Sequence, residues 1–145
     1  MEAKLKRRDL LFPEISYTIM GCAFDVFNQI GPGHLEKVYQ KAMAAALREK
    51  KLLFNEQVPH VLRFNGEKVG SGYFDFLVEE KIVVELKRGR FYLASDMEQV
   101  NEYLKMSNKK LGIIIRFTPD AVCSKESSIL ASSIVRLIRN YSPHL

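Results

Sequence analysis

Two carboxylates and an amine, those of Asp75, Glu85 and Lys87, lie on the two strands of one predicted β-hairpin. A polar three-residue turn would pair Val78 with Ile82 and so place Asp75 opposite Glu85. Because side chains alternate across a strand, Asp75, Glu85 and Lys87 then share one face of the hairpin. The arrangement predicts a site for a hard divalent cation, which takes oxygen ligands and often needs only one or two carboxylates.

The other face of this hairpin is predicted to be wholly apolar, with the residues Phe74, Phe76, Val78, Ile82, Val84 and Leu86. Alternating charge is also typical of a solvated hairpin face, on which Asp75 and Lys87 would form only a weak surface ion pair. A two-residue turn would instead place Asp75 opposite Leu86. The rest of the chain decides between these alternatives.

Length and composition bound the class of protein. The 145 residues are 47% hydrophobic, which predicts a single domain over residues 1–145 with one core. The sequence has no apolar run of membrane-spanning length and no secretory signal at its N-terminus, so we expect a cytoplasmic protein with no membrane partner. Cys22 and Cys123 are too few for a zinc site, and no histidine is placed to activate either thiol.

The net charge of +5 is unevenly placed along the chain. Arg88 and Arg90 directly follow the predicted metal site. A polyanion that approaches Glu85 would pass both guanidinium groups, which suits the phosphate backbone of a nucleic acid.

Hydrophobic periodicity predicts the elements that position these residues. In chain order they are helices over 13–30 and 34–50, strands over 52–64, 69–78 and 82–87, a helix from a Ser95 cap to about 106, and a strand over 111–117. Pro59 indicates an edge position or a bulge in the first strand. The stretch from Ala121 permits a helix or a late edge strand, and we expect a helix that gives way to a short strand. The order α-α-β-β-β-α-β predicts an α/β sandwich around a mixed sheet.

Three motifs occur on these elements in a fixed order. They are Gly33-His34-Leu35-Glu36-Lys37-Val38-Tyr39 on the second helix, Asp75 followed by Glu85-Leu86-Lys87 on the hairpin, and Gln99 to Lys105 on the third helix. On these motifs the chain resembles the restriction-endonuclease-like superfamily named for its PD-(D/E)XK signature. More closely, it is similar to a small bacterial and archaeal family known by its GxxExxY motif. The resemblance implies a restriction-endonuclease-like α/β/α sandwich with a central mixed sheet.

The resemblance also implies a nuclease that hydrolyses phosphodiester bonds, with DNA as the favoured substrate and Mg²⁺ as the metal, for which Mn²⁺ can substitute. The implied metal ligands are Asp75, Glu85, the backbone carbonyl of Leu86, and Glu36 either directly or through water. Lys87 would contact the attacking water or the scissile phosphate. One alternative stays open, a catalytically inactive module that binds nucleic acid or a protein partner on the same fold.

The third helix carries the remaining implied roles. Gln99 would position the lysine or a phosphate, and Tyr103, one turn further along the same face, would hydrogen-bond into the site. Phe74 stands where the superfamily signature has proline. Asp96 stands where many relatives have histidine, and we interpret it as a cap of the helix N-terminus or as an additional acid near the site. Apolar residues of the C-terminal stretch could supply the interface of a homodimer.

Overall fold

The computed structural model describes residues 12–91 and 93–128 and, by its backbone, one further strand. The helices are α1 (Pro13–Ile30), α2 (Glu36–Glu49) and α3 (Ala94–Ser107). The strands are β1 (Phe54–Phe64), β2 (Glu67–Val78), β3 (Ile82–Arg88), β4 (Leu111–Phe117), β5 (Val122–Ser128) and β6 (Arg136–Tyr141). No helix of the described segments is both long enough and apolar enough to cross a membrane.

The six strands form one mixed sheet in which the order in space follows the order in the chain. Only β3 and β4 are parallel, because α3 crosses over between them, whereas every other pair of neighbours is antiparallel. α1 and α2 cover one face of the sheet and α3 covers the other. The α/β sandwich with a central mixed sheet that the sequence predicts is therefore confirmed.

The register of the β2–β3 hairpin is the one that a three-residue turn requires. Val78 pairs with Ile82, and the ladder continues to the pair Phe76 and Val84. The Lys81 amide closes the turn by donating to the Val78 carbonyl at 3.0 Å. The register with Asp75 opposite Leu86 is thereby excluded.

β1 is an edge strand, as Pro59 indicates, because β2 is its only neighbour among the strands that the structure describes. A register shift between Leu62 and Arg63 adds a bulge to its far half. A proline and a bulge both disfavour pairing with a further strand. Both features expected of this segment are thus present in one strand.

The main core lies between the sheet and the pair α1 and α2. Tyr39 of α2 is buried there, with its ring parallel to that of Phe117 and 4.1 Å away between centroids. Its hydroxyl donates to the Gly31 carbonyl at 2.8 Å, which ties α2 to the residue that ends α1. This tyrosine of the GxxExxY motif therefore packs and stabilises the bend between the two helices.

A smaller core lies on the opposite face, beneath α3. Val100 and Leu104 of α3 pack there against the side chains of Phe74, Leu77, Val83 and Ile114. The prediction that Phe74 shares a face with Phe76 is wrong, because Phe76 packs in the main core whereas Phe74 packs in the smaller core beneath α3.

Two further expectations need correction. Ser95 does not cap α3, because the helix begins at Ala94 and its N-cap is Leu93, without a side-chain hydrogen bond. A helix from Ala121 is also wrong for the first part of that stretch, where Val122–Ser128 forms β5. The next part of the stretch, residues 129–135, lies outside the described residues, as do the side chains of most of the apolar residues proposed for a dimer interface. The short final strand corresponds to β6.

Candidate active site

The two predicted carboxylates meet where β2 separates from β3. The ladder stops one residue short of Asp75, and Asp75 Oδ2 accepts a hydrogen bond from the Leu86 amide at 2.7 Å. This bond takes the place of a strand-to-strand hydrogen bond and fixes the carboxylate beside the neighbouring strand. Asp75 and Glu85 are also hydrogen-bonded to each other through their side chains.

Glu85 is largely buried, with 13% of its side chain exposed. Burial, together with the hydrogen bond from Glu85 to Asp75 and the charge of Asp75, raises the pKa of Glu85 to about 9, although the Lys87 ammonium opposes this shift. Two adjacent carboxylates that are withdrawn from water cannot both stay charged without a cation. Burial of the pair therefore favours the binding of a proton or of a metal ion, beyond the charge that Lys87 supplies.

Lys87 places its amine beside this pair. Its Nζ lies 3.6 Å from Glu85 Oε2 and 4.0 Å from Asp96 Oδ1. Asp96 is the third residue of α3 and the acid of its first turn, a position in which the helix dipole favours a carboxylate. The same side chain also lies beside Lys87, so the two interpretations of Asp96, at the helix N-terminus and as an additional acid near the site, both describe its position.

Sequence reasoning did not identify Arg116, which lies next to Lys87 in the parallel β3–β4 ladder. Only 4% of Arg116 is exposed. Its Nη1 donates to the Arg88 carbonyl at 2.9 Å, and its Nη2 lies 3.8 Å from Asp96 Oδ2. The signal in the sequence was one arginine within an otherwise apolar buried strand.

His60 of β1 also borders the site without having been predicted. Its ring lies 4.3 Å from that of Phe74. Burial lowers the pKa of His60, and the positive charge of Lys87 adds to the effect. An imidazole in the middle of an edge strand gives no sequence signal of its own, because its neighbour is known only once the sheet is built.

The structure does not bring together every residue that the motifs suggest. Glu36 is exposed at the first turn of α2, and its carboxylate does not join those of Asp75 and Glu85. Gln99 is half-buried one turn after Asp96, hence on the side of α3 that faces Lys87.

Tyr103 is directed away from the carboxylates, in contrast to the prediction that it hydrogen-bonds into the site. Its ring packs edge-on against Phe74 at 5.2 Å. Burial raises the pKa of its hydroxyl, the hydrogen bond from Ser107 opposes this shift, and the negative charge of Glu80 adds to it. Glu80 lies in the hairpin turn, at the opposite end of β3 from Lys87.

Arg88, the last residue of β3, and Arg90, two residues beyond it, are both exposed. Arg88 Nη1 donates to the His34 carbonyl at 3.4 Å, so the end of β3 lies next to the loop that precedes α2. Arg90 forms an exposed ion pair with Asp120, at 2.9 Å. Exposed pairs of this kind are weak and can exchange for a phosphate partner.

The donors at this site fit a divalent metal ion with few protein ligands. Across the described ranges, no cluster of three or more His, Cys, Asp or Glu side chains is close enough to bind a metal. Mg²⁺, however, commonly keeps several waters and is bound through one or two carboxylates. The pair Asp75 and Glu85 supplies that number, and burial, which raises the pKa of Glu85, disfavours two charged carboxylates here in the absence of a bound cation.

Comparison with known proteins agrees with this geometry. A family model described as the PD-(D/E)XK nuclease superfamily matches residues 13–127. No curated protein matches the chain. Among solved structures, the crystal structure of SSO0001 is similar, with a TM-score of 0.51 and 22% sequence identity. That match covers 63% of this chain and 49% of SSO0001, so the chain spans about half the length of this relative, and the likeness shows the fold alone.

Proposed function

The chain belongs to the PD-(D/E)XK nuclease superfamily, and from this premise we propose that it is a divalent-metal-dependent nuclease that hydrolyses phosphodiester bonds in DNA. One observation carries the proposal. Asp75, Glu85 and Lys87 converge where β2 and β3 separate, and burial leaves the two acids in need of a cation. A decayed site would be expected to have lost one of these groups.

Asp75 and Glu85 are the proposed metal ligands, with the backbone carbonyl of Leu86 beside them. We propose Mg²⁺, for which Mn²⁺ can substitute. When bound, such an ion acts as a Lewis acid on the phosphate and lowers the pKa of a water ligand. Lys87 adds positive charge beside the carboxylates, where the phosphate becomes more negative in the transition state.

The remaining motif residues lie outside the group formed by Asp75, Glu85 and Lys87 and support it indirectly. Gly33 has a φ of +86°, a conformation that favours glycine and lets the chain turn into α2. Tyr39 anchors that turn through Gly31. Glu36 would then act only through water, and Gln99 would contact Lys87 or a phosphate from α3. Membership of the GxxExxY family, which rests on these residues, is part of the proposal.

DNA is the proposed substrate because of the exposed positive charge at the end of β3. Arg88 and Arg90 follow Lys87 directly and face solvent. Guanidinium groups in this position can contact backbone phosphates on either side of a scissile bond. Contacts of that kind position the nucleic acid without reading its sequence.

The test is a cleavage assay on supercoiled plasmid, linear duplex, single-stranded oligonucleotide and a four-way junction, each with Mg²⁺ or Mn²⁺. Lys87→Ala should lower the rate by about 100-fold or more, because it removes a charge that stabilises the transition state. Lys81→Ala is the matched control, since Lys81 is an exposed lysine in the turn of the same hairpin.

Cleavage that requires metal, survives Lys81→Ala and is lost in Lys87→Ala would support the proposal. Cleavage that persists in EDTA or in Lys87→Ala would contradict it. Binding of DNA without cleavage of any form would favour the alternative of an inactive binding module.

A further inference from the structure

The catalytic amine is held from two sides. Lys87 Nζ lies between Glu85 Oε2, at 3.6 Å, and Asp96 Oδ1, at 4.0 Å. The side chain of Lys87 is 28% exposed and that of Asp96 is 14% exposed, so the second contact is partly shielded from water. A lysine has a flexible four-carbon stem and about 2 kcal/mol of rotamer entropy, which a single ion pair restricts poorly.

Asp96 is itself held by a second cation. Its Oδ2 lies 3.8 Å from Nη2 of Arg116, while its Oδ1 faces Lys87. Arg116 is almost fully buried, and its Nη1 donates to the Arg88 carbonyl at 2.9 Å. The planar guanidinium is thus attached to the backbone of the strand that carries Lys87, and it determines the direction of the Asp96 carboxylate.

From this arrangement we propose that Asp96 and Arg116 are positioning residues for Lys87: Arg116 orients Asp96, and Asp96 holds the Lys87 amine beside Glu85. The three residues lie on three different elements: Lys87 is on β3, Arg116 is on β4 and Asp96 is on α3. The register of the parallel ladder, in which Lys87 and Arg116 are direct neighbours, places both cations within reach of one carboxylate.

Arg116 also keeps the charge of Lys87 available to a substrate. Two carboxylates around one ammonium would neutralise it fully and would compete with a phosphate for it. Because Arg116 shares Asp96, the charges of these two residues cancel, and Lys87 together with Asp75 and Glu85 carries a formal charge of −1 when both acids are ionised. A metal ion bound at Glu85 then leaves a net positive charge facing the phosphate.

The inference rests on the proposed nuclease function for its kinetic test. The assay uses whichever DNA form the wild type cleaves fastest. Asp96→Asn should lower kcat by about 10- to 100-fold and change KM by less than about 2-fold, because a displaced Lys87 amine stabilises the transition state less but hardly affects substrate binding. Asp96→Glu should restore part of kcat. Glu98→Gln, an exposed change two residues along the same helix, should cleave as the wild type does.

Coupling to Lys87 separates positioning from a general structural effect. In a Lys87→Ala background, Asp96→Asn should cause no further loss, since its effect passes through the lysine. Arg116→Lys should reproduce the kcat defect of Asp96→Asn, and thermal unfolding of each variant shows whether the fold is retained. An Asp96→Asn protein that keeps the wild-type kcat, or that lowers the residual rate of Lys87→Ala, would overturn the inference.

A measurement without catalysis keeps the inference testable if the wild type cleaves nothing. Side-chain NMR order parameters of ¹⁵N,¹³C-lysine, with Lys87 assigned through Lys87→Ala, report how rigid its terminal groups are. We expect an ordered Lys87 in the wild type and in Glu98→Gln, and a mobile one in Asp96→Asn. Equal mobility in all three proteins would refute the positioning role, whereas absent cleavage with an ordered Lys87 would refute only the nuclease proposal.

Discussion

Glu85 lies in a site where burial disfavours its charged form, although metal binding requires that form. The hydrogen bond to Asp75 and the negative charge of Asp75 act in the same direction as burial. Because burial disfavours the charged form of Glu85, this residue lowers the stability of the metal-free protein at the pH at which the enzyme would work. Its amide analogue should therefore fold more stably.

We predict that Glu85→Gln stabilises the metal-free protein increasingly as the pH rises. The folded protein retains a proton on Glu85 up to about pH 9, whereas the unfolded chain releases it near pH 4.5. The stability that protonation contributes is thus fully present below about 4.5 and is lost as the pH rises to 9. Chemical unfolding in EDTA should show little difference at pH 5 and a gain on the order of 4 kcal/mol at pH 8, because each pH unit between the two pKa values contributes about 1.4 kcal/mol.

Glu98→Gln is the control for this prediction, because it makes the same chemical change at an exposed position of α3. Its effect should not depend on pH over this range. A Glu85→Gln protein that unfolds like the wild type at pH 8 would show that the pair is solvated and carries no such cost.

Whether a site residue can be predicted from the sequence depends on how far its contact partners lie from it along the chain. Asp75, Glu85 and Lys87 share one hairpin, so a turn length and the alternation of a strand suffice to bring them together. Arg116 and His60 lie on strands that could not be assigned as neighbours without the sheet order. Tyr103 was predicted to hydrogen-bond into the site from the face of α3 that carries Gln99, but its hydroxyl lies near Ser107 and Glu80, towards the other end of β3.

At the scale of elements, the position of α3 depends on a close approach to β4 at Gly112. A Cβ added there would clash with the Val100 side chain of α3 and lie 3.1 Å from Val83 Cγ1. We predict that Gly112→Ala destabilises the protein by about 1–3 kcal/mol through overpacking. It should also lower kcat, because a shift of α3 moves Asp96 away from Lys87.

Gly21→Ala is the contrasting substitution, since an added Cβ meets nothing within 4 Å in the helix α1. It should stabilise the protein by about 0.5–1 kcal/mol through helix propensity and leave kcat unchanged. Thermal unfolding and the cleavage assay measure both effects. If Gly112→Ala were as stable as the wild type, the packing of α3 on β4 would be looser than the structure indicates.

The elements themselves were predictable where one face is apolar. α1, with its proline at the first turn, was assigned to its observed ends, and β4 was recognised by a continuous apolar run. β5 was not predicted as a strand from its first residue, because it buries Ser124, Glu126 and Ser127 in place of apolar side chains. Its sequence therefore lacks the apolar pattern of a buried strand, and only its pairing with β4 identifies it.

At the scale of the whole molecule, the site lies where the sheet divides. β1 and β2 continue as a two-stranded ribbon beyond the last pair that β2 makes with β3. β3 and β4 remain paired through Arg88 and Phe117. The division leaves the Asp75 side chain and the Leu86 amide to satisfy each other, so the fold positions its carboxylates at a point where the ladder is incomplete.

Because the carboxylate pair forms only where the folded sheet divides, metal binding can be measured as a change in the stability of the whole protein. We predict that Mg²⁺ or Mn²⁺ raises the melting temperature, because the ion binds the folded pair and has no comparable site in the unfolded chain. At about ten times the dissociation constant the gain is about 1.4 kcal/mol, which corresponds to a shift of about 3–5 °C for a chain of this size. The shift should grow from pH 6 to pH 8, because the metal must displace the proton on Glu85.

Calorimetry of the wild type, Asp75→Asn, Glu85→Gln and the Glu98→Gln control, each with Mg²⁺ and with EDTA, checks this prediction. Only the wild type and the Glu98→Gln control should respond to the metal. Equal shifts in all four proteins would mean that the ion binds elsewhere on the surface. No shift in the wild type at either pH would mean that the carboxylate pair does not bind metal in the absence of DNA, and the phosphate would then have to complete the ligand set.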